Sequence, residues 1–179
     1  MERLPAENNL IWEKEKMKRN KVLPLLLLIL LMVCASGLFT ACGKADLSAY
    51  GEEPITISGL KESEFTVTPA ELAEMDCVKR SDTGRSEKAG TVKAYGPLLS
   101  TFVGKYGYEM TDFSKVRFIC KDQYKVVLQD EYLTDYEIVL SVASGSDPLA
   151  EAERPLRILI PEADSYRWAY SVERIEFEK

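Results

Sequence analysis

The chain has 179 residues, with 23 Lys and Arg against 29 Asp and Glu, and it contains no His. Without His it cannot be a Ser-His-Asp or Cys-His hydrolase, and it lacks the side chain that most often binds zinc or haem. The acidic excess also argues against nucleic acid as a partner, because nucleic-acid-binding proteins present clustered positive charge to the phosphates.

The N-terminal region divides at Met17. Residues 1–16 contain four glutamates, which is unusual for the start of an export signal. We interpret this segment as a mis-assigned start, with a disordered cytoplasmic tail as the alternative. Residues 17–41 begin with a Lys-Arg-Asn-Lys cluster, continue with a long apolar run and end in small residues. That order is typical of a signal peptide.

Cys42 directly follows Thr40-Ala41 at the end of the apolar run. This arrangement resembles a bacterial lipobox, which implies that Cys42 is diacylated and becomes the first residue of the mature protein. The resemblance implies an extracytoplasmic lipoprotein anchored to the cell membrane. A transmembrane anchor over residues 22–41 is the alternative, because that run is long enough to span a bilayer. Both interpretations place the remaining chain outside the cytoplasm at a membrane surface.

The mature chain from Cys42 onward has the size of one ordinary domain. Six of the 23 basic and four of the 29 acidic residues precede Cys42, so 17 basic and 25 acidic side chains remain and give a net charge of −8. Residues 42–53 are mostly small and polar and predict a tether. Residues 54–179 are expected to form one folded domain, which is long enough to bury a core.

Short strands and brief helices alternate in this domain. Thr68, Pro69 and Glu71 form a capping box with Pro at the first helical position, which predicts a short helix. Gly96-Pro97 predicts the start of a second helix. The predicted strands are residues 55–57, 65–67, 76–80, 91–95, 116–120, 124–128, 137–143, 156–160 and 172–177. This pattern predicts a β-rich α+β domain.

The order of these segments resembles the sulfite-oxidase-type molybdopterin-binding domain. The most specific part is Asp147-Pro148-Leu149 followed by Arg154-Pro155-Leu156-Arg157-Ile158-Leu159-Ile160-Pro161. The other similar segments are residues 55–60, 65–72, 96–99, 121–124 and 168–175. The resemblance covers nearly all of residues 54–178 and implies a compact mixed sheet flanked by short helices.

The resemblance also implies a candidate site. In the full-size enzymes a Cys thiolate binds molybdenum, and by position Cys77 corresponds to that ligand, a role that suits a soft metal centre. Arg80, Arg85 and Lys88 lie in or beside the following loop and are candidates for binding a cofactor phosphate or an anion such as sulfite. A solvated loop with alternating charges is the alternative for these three residues.

Three departures from the family lead us to expect no bound cofactor. The loop after Cys77 lacks the family's Trp-rich segment, and the chain has no His to match those that often contact cofactor or substrate. The resemblance carries with it that molybdopterin is inserted in the cytoplasm, so a loaded protein needs a twin-arginine signal. The signal here is typical of ordinary export, in which the chain crosses the membrane unfolded.

Several side chains keep more than one interpretation. Cys77 and Cys120 are two buried thiols, a disulfide or, for one of them, a functional group. Arg157 stands inside an apolar strand, where it holds an acid across the sheet or points at a cleft. The aromatic residues before the last strand line a ligand groove or pack; they are Tyr166, Trp168 and Tyr170.

Three functions remain open from the sequence. The first is a surface-anchored binding or interaction module without bound cofactor, whose partner is a small anionic ligand or another protein. The second is a small molybdopterin-dependent oxidoreductase of the sulfite oxidase type. The third is a structural accessory subunit of a membrane complex. The ligand and the oligomeric state do not follow from the residues.

Overall fold

The structure is a computed structural model that describes residues 45–83 and 90–179. The predicted signal peptide, the lipidation site Cys42 and the loop residues Arg85 and Lys88 therefore lie outside the described residues. In the described part, no helix combines the length and the apolar character that crossing a membrane requires.

Eleven strands and three short α-helices alternate along the described residues, together with three single 3-10 turns. The strands are β1 (Ile55–Ser58), β2 (Phe65–Val67), β3 (Cys77–Thr83), β4 (Thr91–Pro97), β5 (Lys115–Cys120), β6 (Lys125–Gln129), β7 (Val139–Ser141), β8 (Ala143–Ser144), β9 (Asp147–Pro148), β10 (Arg157–Leu159) and β11 (Val172–Glu178). The helices are α1 (Pro69–Ala73), α2 (Leu99–Gly104) and α3 (Glu131–Thr134). The 3-10 turns are Met110–Asp112, Glu151–Glu153 and Ser165–Arg167.

The strands form three sheets. The largest has five strands in the order β2-β1-β11-β5-β6, in which β1 and β11 are parallel and the other neighbours are antiparallel. A four-stranded sheet has the order β3-β4-β8-β9, and β10 pairs with β7. The prediction of a β-rich α+β domain with a mixed sheet is therefore confirmed.

The five-stranded sheet separates the core from a charged outer face. Along β5, Val116, Phe118 and Cys120 are buried while the alternate residues are half-exposed, as the period of two in a strand requires. On the outer face, Arg117 pairs with Glu178 at 2.5 Å on the neighbouring strand β11. The core itself is built from the inner face of the sheet and from helix residues such as Leu72 and Phe102.

The first predicted helix is confirmed in its capping detail. The Thr68 hydroxyl accepts a hydrogen bond from the Glu71 amide at 3.2 Å, and the Thr68 amide donates to the Glu71 carboxylate at 2.9 Å. The second predicted helix begins later than expected, at Leu99. Gly96 and Pro97 belong to β4, and a Cβ on Gly96 would lie 1.9 Å from the carbonyl oxygen of Leu140. Glycine is therefore used here for the close approach of β4 to β7.

The segment predicted as one strand over residues 137–143 is divided. Residues of β7 pair with β10, whereas β8 pairs with β4 and β9, because the chain changes sheets at Val142. The amide of Val142 donates to the carbonyl of Tyr95 at 2.9 Å across this break. Helix α3 was not predicted; it follows Asp130, whose φ of 54° lies outside the usual range for a residue with a side chain.

Part of the expected tether packs against the domain. Tyr50 is 2 % exposed. Its hydroxyl donates to the carbonyl of Val142 at 2.7 Å and accepts from the amide of Leu149 at 2.9 Å. The carbonyl of Gly51 accepts a hydrogen bond from the Ala70 amide at the start of α1. Part of the predicted tether over residues 42–53 is therefore in contact with the folded domain.

Candidate functional site

Cys77 is the first residue of β3 and lies directly after the turn that ends α1. Its side chain is half-buried, and its Sγ lies 3.6 Å from the carbonyl oxygen of Leu72 and 3.8 Å from that of Ala73. Carbonyl oxygens accept a hydrogen bond from a thiol, whereas they repel the negative charge of a thiolate. The Cys77 thiol is thus placed to donate a hydrogen bond to the backbone at the end of α1.

The disulfide interpretation is not supported, because Cys77 and Cys120 are not joined. Cys120 ends β5 and is 2 % exposed. Burial raises the pKa of its thiol, and a hydrogen bond from the backbone of Tyr170 opposes that shift. Both residues are therefore thiols, as in the first of the sequence interpretations.

Arg80 does not join Cys77 in a common site. The two residues are three positions apart on a regularly paired strand, so their side chains leave opposite faces of the sheet. The Arg80 guanidinium instead binds Glu137 through two hydrogen bonds, Nε to Oε2 at 2.5 Å and Nη2 to Oε1 at 2.8 Å. This hydrogen-bonded pair raises the pKa of Arg80 and lowers the pKa of Glu137. The positive charge predicted to hold an anion is already neutralised.

These residues do not fit a molybdopterin group. A metal ligand must accept the metal on a deprotonated sulfur, and the Cys77 sulfur faces two carbonyl oxygens. A cofactor phosphate needs a cation that is not already paired, and Arg80 is bound to Glu137. Among the described residues, no group of three or more His, Cys, Asp and Glu side chains could hold a metal ion. Arg85 cannot be placed, because it lies outside the described residues.

A large cleft that the sequence did not indicate lies between α2 and α3. It has a volume of about 630 Å³. It is lined by Leu98, Leu99, Ser100, Gly104, Tyr108, Glu109, Met110, Thr111, Leu133, Thr134, Asp135, Tyr136, Glu137 and Ile138. Its lining comes from residues 98–111 and from residues 133–138, which are distant from them in the sequence, and this is why no local motif could reveal it. Cys77 is not among the lining residues.

The lining combines apolar side chains with carboxylates. Leu98, Leu133 and Ile138 provide apolar surface, and the acids Glu109, Asp135 and Glu137 provide negative charge, while no Lys or Arg is among the described lining residues. All three acids are partly satisfied: Asp135 accepts a hydrogen bond from the Thr134 hydroxyl at 2.8 Å, Glu137 is held by Arg80, and the Glu109 side chain accepts from the Asp112 amide in a capping box. Such a lining suits a ligand with an apolar body and a positive group, and it disfavours an anion.

Arg157 holds an acid, as one of its two interpretations expected. It lies on β10 and is 3 % exposed. Its Nη1 donates to both oxygens of Glu153 at 3.0 and 2.9 Å, and its Nη2 donates to the carbonyl of Lys93. Through these hydrogen bonds, Arg157 on β10 connects the 3-10 turn that contains Glu153 to strand β4, which contains Lys93.

The three aromatic residues before β11 have different environments. Trp168 is buried, and its indole N–H donates to the carbonyl of Ile160 at 3.1 Å, so it packs. Tyr166 is 61 % exposed and Tyr170 is 39 % exposed. The three residues are therefore not one cluster: Trp168 packs in the core, and Tyr166 and Tyr170 are exposed.

The fold is similar to that of a solved dehydrogenase. The crystal structure of the sulfane dehydrogenase SoxCD from Paracoccus pantotrophus matches with a TM-score of 0.58 and 15 % sequence identity. The match covers 72 % of this chain and 38 % of the SoxCD chain, so this chain spans well under half of that structure's length. At this identity the similarity shows the fold alone. The sequence matches no protein-family model and no curated protein.

Proposed function

We propose that this chain is a lipid-anchored extracytoplasmic binding module that has a sulfite-oxidase-type molybdopterin-binding fold and works without bound molybdopterin. The collinear sequence segments and the similarity to sulfane dehydrogenase support the fold. One observation carries the binding role: the large cleft is apolar and carboxylate-lined, and it does not include Cys77.

The cleft favours a ligand with a positive group. Glu109 and Asp135 place negative charge at a site with an apolar lining from Leu98 and Leu133. An ammonium or guanidinium group would gain Coulomb energy there, while an aliphatic body would bury apolar surface. We therefore replace the small anionic ligand expected from the sequence with a cationic one, such as a basic side chain of a partner protein.

Two short peptides test this ligand class. We expect acetyl-Leu-Lys-Leu-amide to shift the backbone NMR signals of residues such as Leu98 and Tyr136, and acetyl-Leu-Glu-Leu-amide to leave them unchanged. Asp135→Asn should weaken binding several-fold, because it removes one charge and keeps the side-chain shape. The matched control Asp147→Asn, on exposed strand β9, should bind like the wild type. Equal binding of both peptides, or no shift with either, contradicts the cationic ligand.

The lipid anchor is tested separately at Cys42. We expect Cys42→Ala to leave the precursor uncleaved or to release the domain from the membrane, because the diacylglycerol supplies the two chains that stable anchoring needs. Cys34→Ala, inside the predicted signal, is the matched control and should be lipidated normally. A Cys42→Ala chain that still fractionates as a mature, lipid-labelled protein would refute the lipobox interpretation.

A small molybdopterin-dependent oxidoreductase is the second candidate function. The similarity to a dehydrogenase fold favours it, as does the position of Cys77 at the start of β3. The carbonyl oxygens that face the Cys77 sulfur oppose it. Molybdenum content separates this candidate from the binding module.

A further inference from the structure

A second surface suited to ligand binding lies at β6, the edge strand of the five-stranded sheet. We define the Tyr–Arg surface by Tyr124, Val127, Tyr132, Tyr166 and Arg167. Tyr124, Val127 and Tyr166 are 52 %, 37 % and 61 % exposed, and among the described residues only Tyr170 joins them as an exposed large hydrophobic side chain. The Tyr124 hydroxyl donates to the carbonyl of Tyr166 at 3.3 Å, which connects the turn before β6 to the turn before β11. Exposed apolar surface is therefore concentrated here.

Arg167 is the fixed polar group of the Tyr–Arg surface. Its Cζ lies 3.8 Å from the centre of the Tyr132 ring and 5.2 Å from the centre of the Tyr166 ring. Its Nη1 donates to the carbonyl of Val127 at 3.4 Å. Among the described residues it has no carboxylate partner. Ring stacking thus orients a planar donor without neutralising its charge.

A pocket of about 350 Å³ adjoins these rings. It is lined by Val127, Gln129, Asp130, Glu131, Tyr132 and Arg167, none of which lines the cleft between α2 and α3. The guanidinium and the amide donate hydrogen bonds, and the two carboxylates and the amide oxygen accept them. The carboxylates oppose an anion and the guanidinium opposes a cation, so the mixture suits a neutral ligand with many hydroxyl groups.

The edge of β6 is poorly suited to an added peptide strand. The outward-facing carbonyl of Val127 is already occupied by Arg167, and Lys125 stands next along the same edge. Charged side chains at an edge strand are a usual protection against strand addition. A partner that uses side chains and ring faces is favoured over one that uses backbone hydrogen bonds.

Asp130, in the pocket wall, has an unusual backbone conformation. Its φ is 54° and its ψ is −130°, a conformation that favours glycine. Residues with side chains persist in such conformations at the cost of stability, and they cluster at binding sites. Asp130→Gly would relieve this strain and would remove one acceptor from the pocket.

We infer that the Tyr–Arg surface binds a neutral saccharide. The apolar C–H face of a pyranose ring lies against the exposed ring of Tyr166, as aromatic faces attract C–H groups that carry partial positive charge. The ring hydroxyls pair with the guanidinium of Arg167 and with the carboxylate of Asp130. This inference is independent of the cationic ligand proposed for the cleft.

The experiment titrates the folded domain with two neutral β-1,4-linked oligosaccharides, cellotetraose and chitotetraose, and follows backbone NMR signals. We expect saturable shifts at Val127, Gln129 and Tyr166 with at least one of them. Tyr166→Ala should weaken binding at least tenfold, and Tyr166→Phe should retain most of it, because the ring face is what contacts the sugar. The pair also controls for folding, since both variants change the same exposed side chain.

Two further variants distinguish saccharide binding at this surface from binding in the cleft and from a purely structural role of Asp130. Asp130→Gly should raise the melting temperature and weaken saccharide binding, whereas a purely structural Asp130 would show only the first effect. Asp135→Asn, which alters the cleft, should leave saccharide affinity unchanged. The inference is overturned if neither oligosaccharide shifts the signals of β6 at millimolar concentration. It is also overturned if Tyr166→Ala binds like the wild type, or if the shifts fall in the cleft.

Discussion

Two parts of this chain differ in what their residues do: one carries the most specific segment of the family resemblance, and the other contains the expected metal ligand. Around Arg157, the side chain is 3 % exposed, and its hydrogen bonds to Glu153 and Lys93 tie elements of the fold together. Around Cys77, the side chain is half-buried on edge strand β3, and Arg80 points to the opposite face. The resemblance is therefore kept where residues hold the fold, and it is weak where residues would hold a cofactor.

Removing the acid that pairs with Arg157 should have the largest effect on the free energy of unfolding. Glu153→Ala leaves the Arg157 charge buried with only a carbonyl as partner, which should cost about 3 kcal/mol of the free energy of unfolding. The matched control Glu151→Ala, an exposed acid in the same 3-10 turn, should change it by less than about 0.5 kcal/mol. Urea unfolding measures both. Equal, small losses would show that the Arg157 pair does not hold the fold.

Tyr50, near the N-terminal end of the described residues, also holds the fold together through its hydroxyl group. Tyr50→Phe removes the hydroxyl that joins Val142 to Leu149 and leaves the buried Leu149 amide without its acceptor. This should lower the free energy of unfolding by about 2 kcal/mol. Tyr166→Phe, at an exposed ring, should cost less than about 0.5 kcal/mol. Thermal and urea unfolding test the pair. If Tyr50→Phe is neutral, residues 45–53 are a tether after all.

Of these interactions, the Arg80–Glu137 pair should contribute least to the free energy of unfolding. Both side chains are about a third exposed or more, at 36 % and 47 %, so solvent screening limits their coupling to about 0.5 kcal/mol in a double-mutant cycle. Because the pKa of Glu137 is lowered in the folded state, the coupling is fully present above the pKa of Glu137 in the unfolded chain. It is lost as pH falls through the folded pKa. A coupling that grows on acidification would contradict this assignment.

Local signals in the sequence predicted much of the fold. The capping box at Thr68 and Glu71 and the strands β3 and β4 depend on neighbouring residues, so their presence was predicted correctly. The strand break at Val142 and the late start of α2 depend on contacts of β4 with β7, which bring together residues more than forty positions apart in sequence. Sequence patterns carry no information on such contacts.

The candidate sites were harder to predict than the fold. The cleft draws its lining from residues 98–111 and 133–138, and neither region has a recognisable pattern. One residue of the Tyr–Arg surface was a candidate from the sequence, because Tyr166 lies close to Trp168 and Tyr170 along the chain. The stacking of Arg167 on Tyr132 joins residues from two distant parts of the chain, and only the fold shows it. Cys77 was found by position, while the orientation of its sulfur was not predictable.

The central proposal is that the chain has the sulfite-oxidase-type fold and does not hold molybdenum. The most direct test is elemental analysis of wild type and Cys77→Ala, both purified from the native host. We expect no molybdenum above background in either protein. We also expect Cys77→Ala to lower the free energy of unfolding by only about 1 kcal/mol, as for a half-buried thiol. Close to one molybdenum atom per wild-type chain, absent from Cys77→Ala, would contradict the claim and establish the oxidoreductase instead.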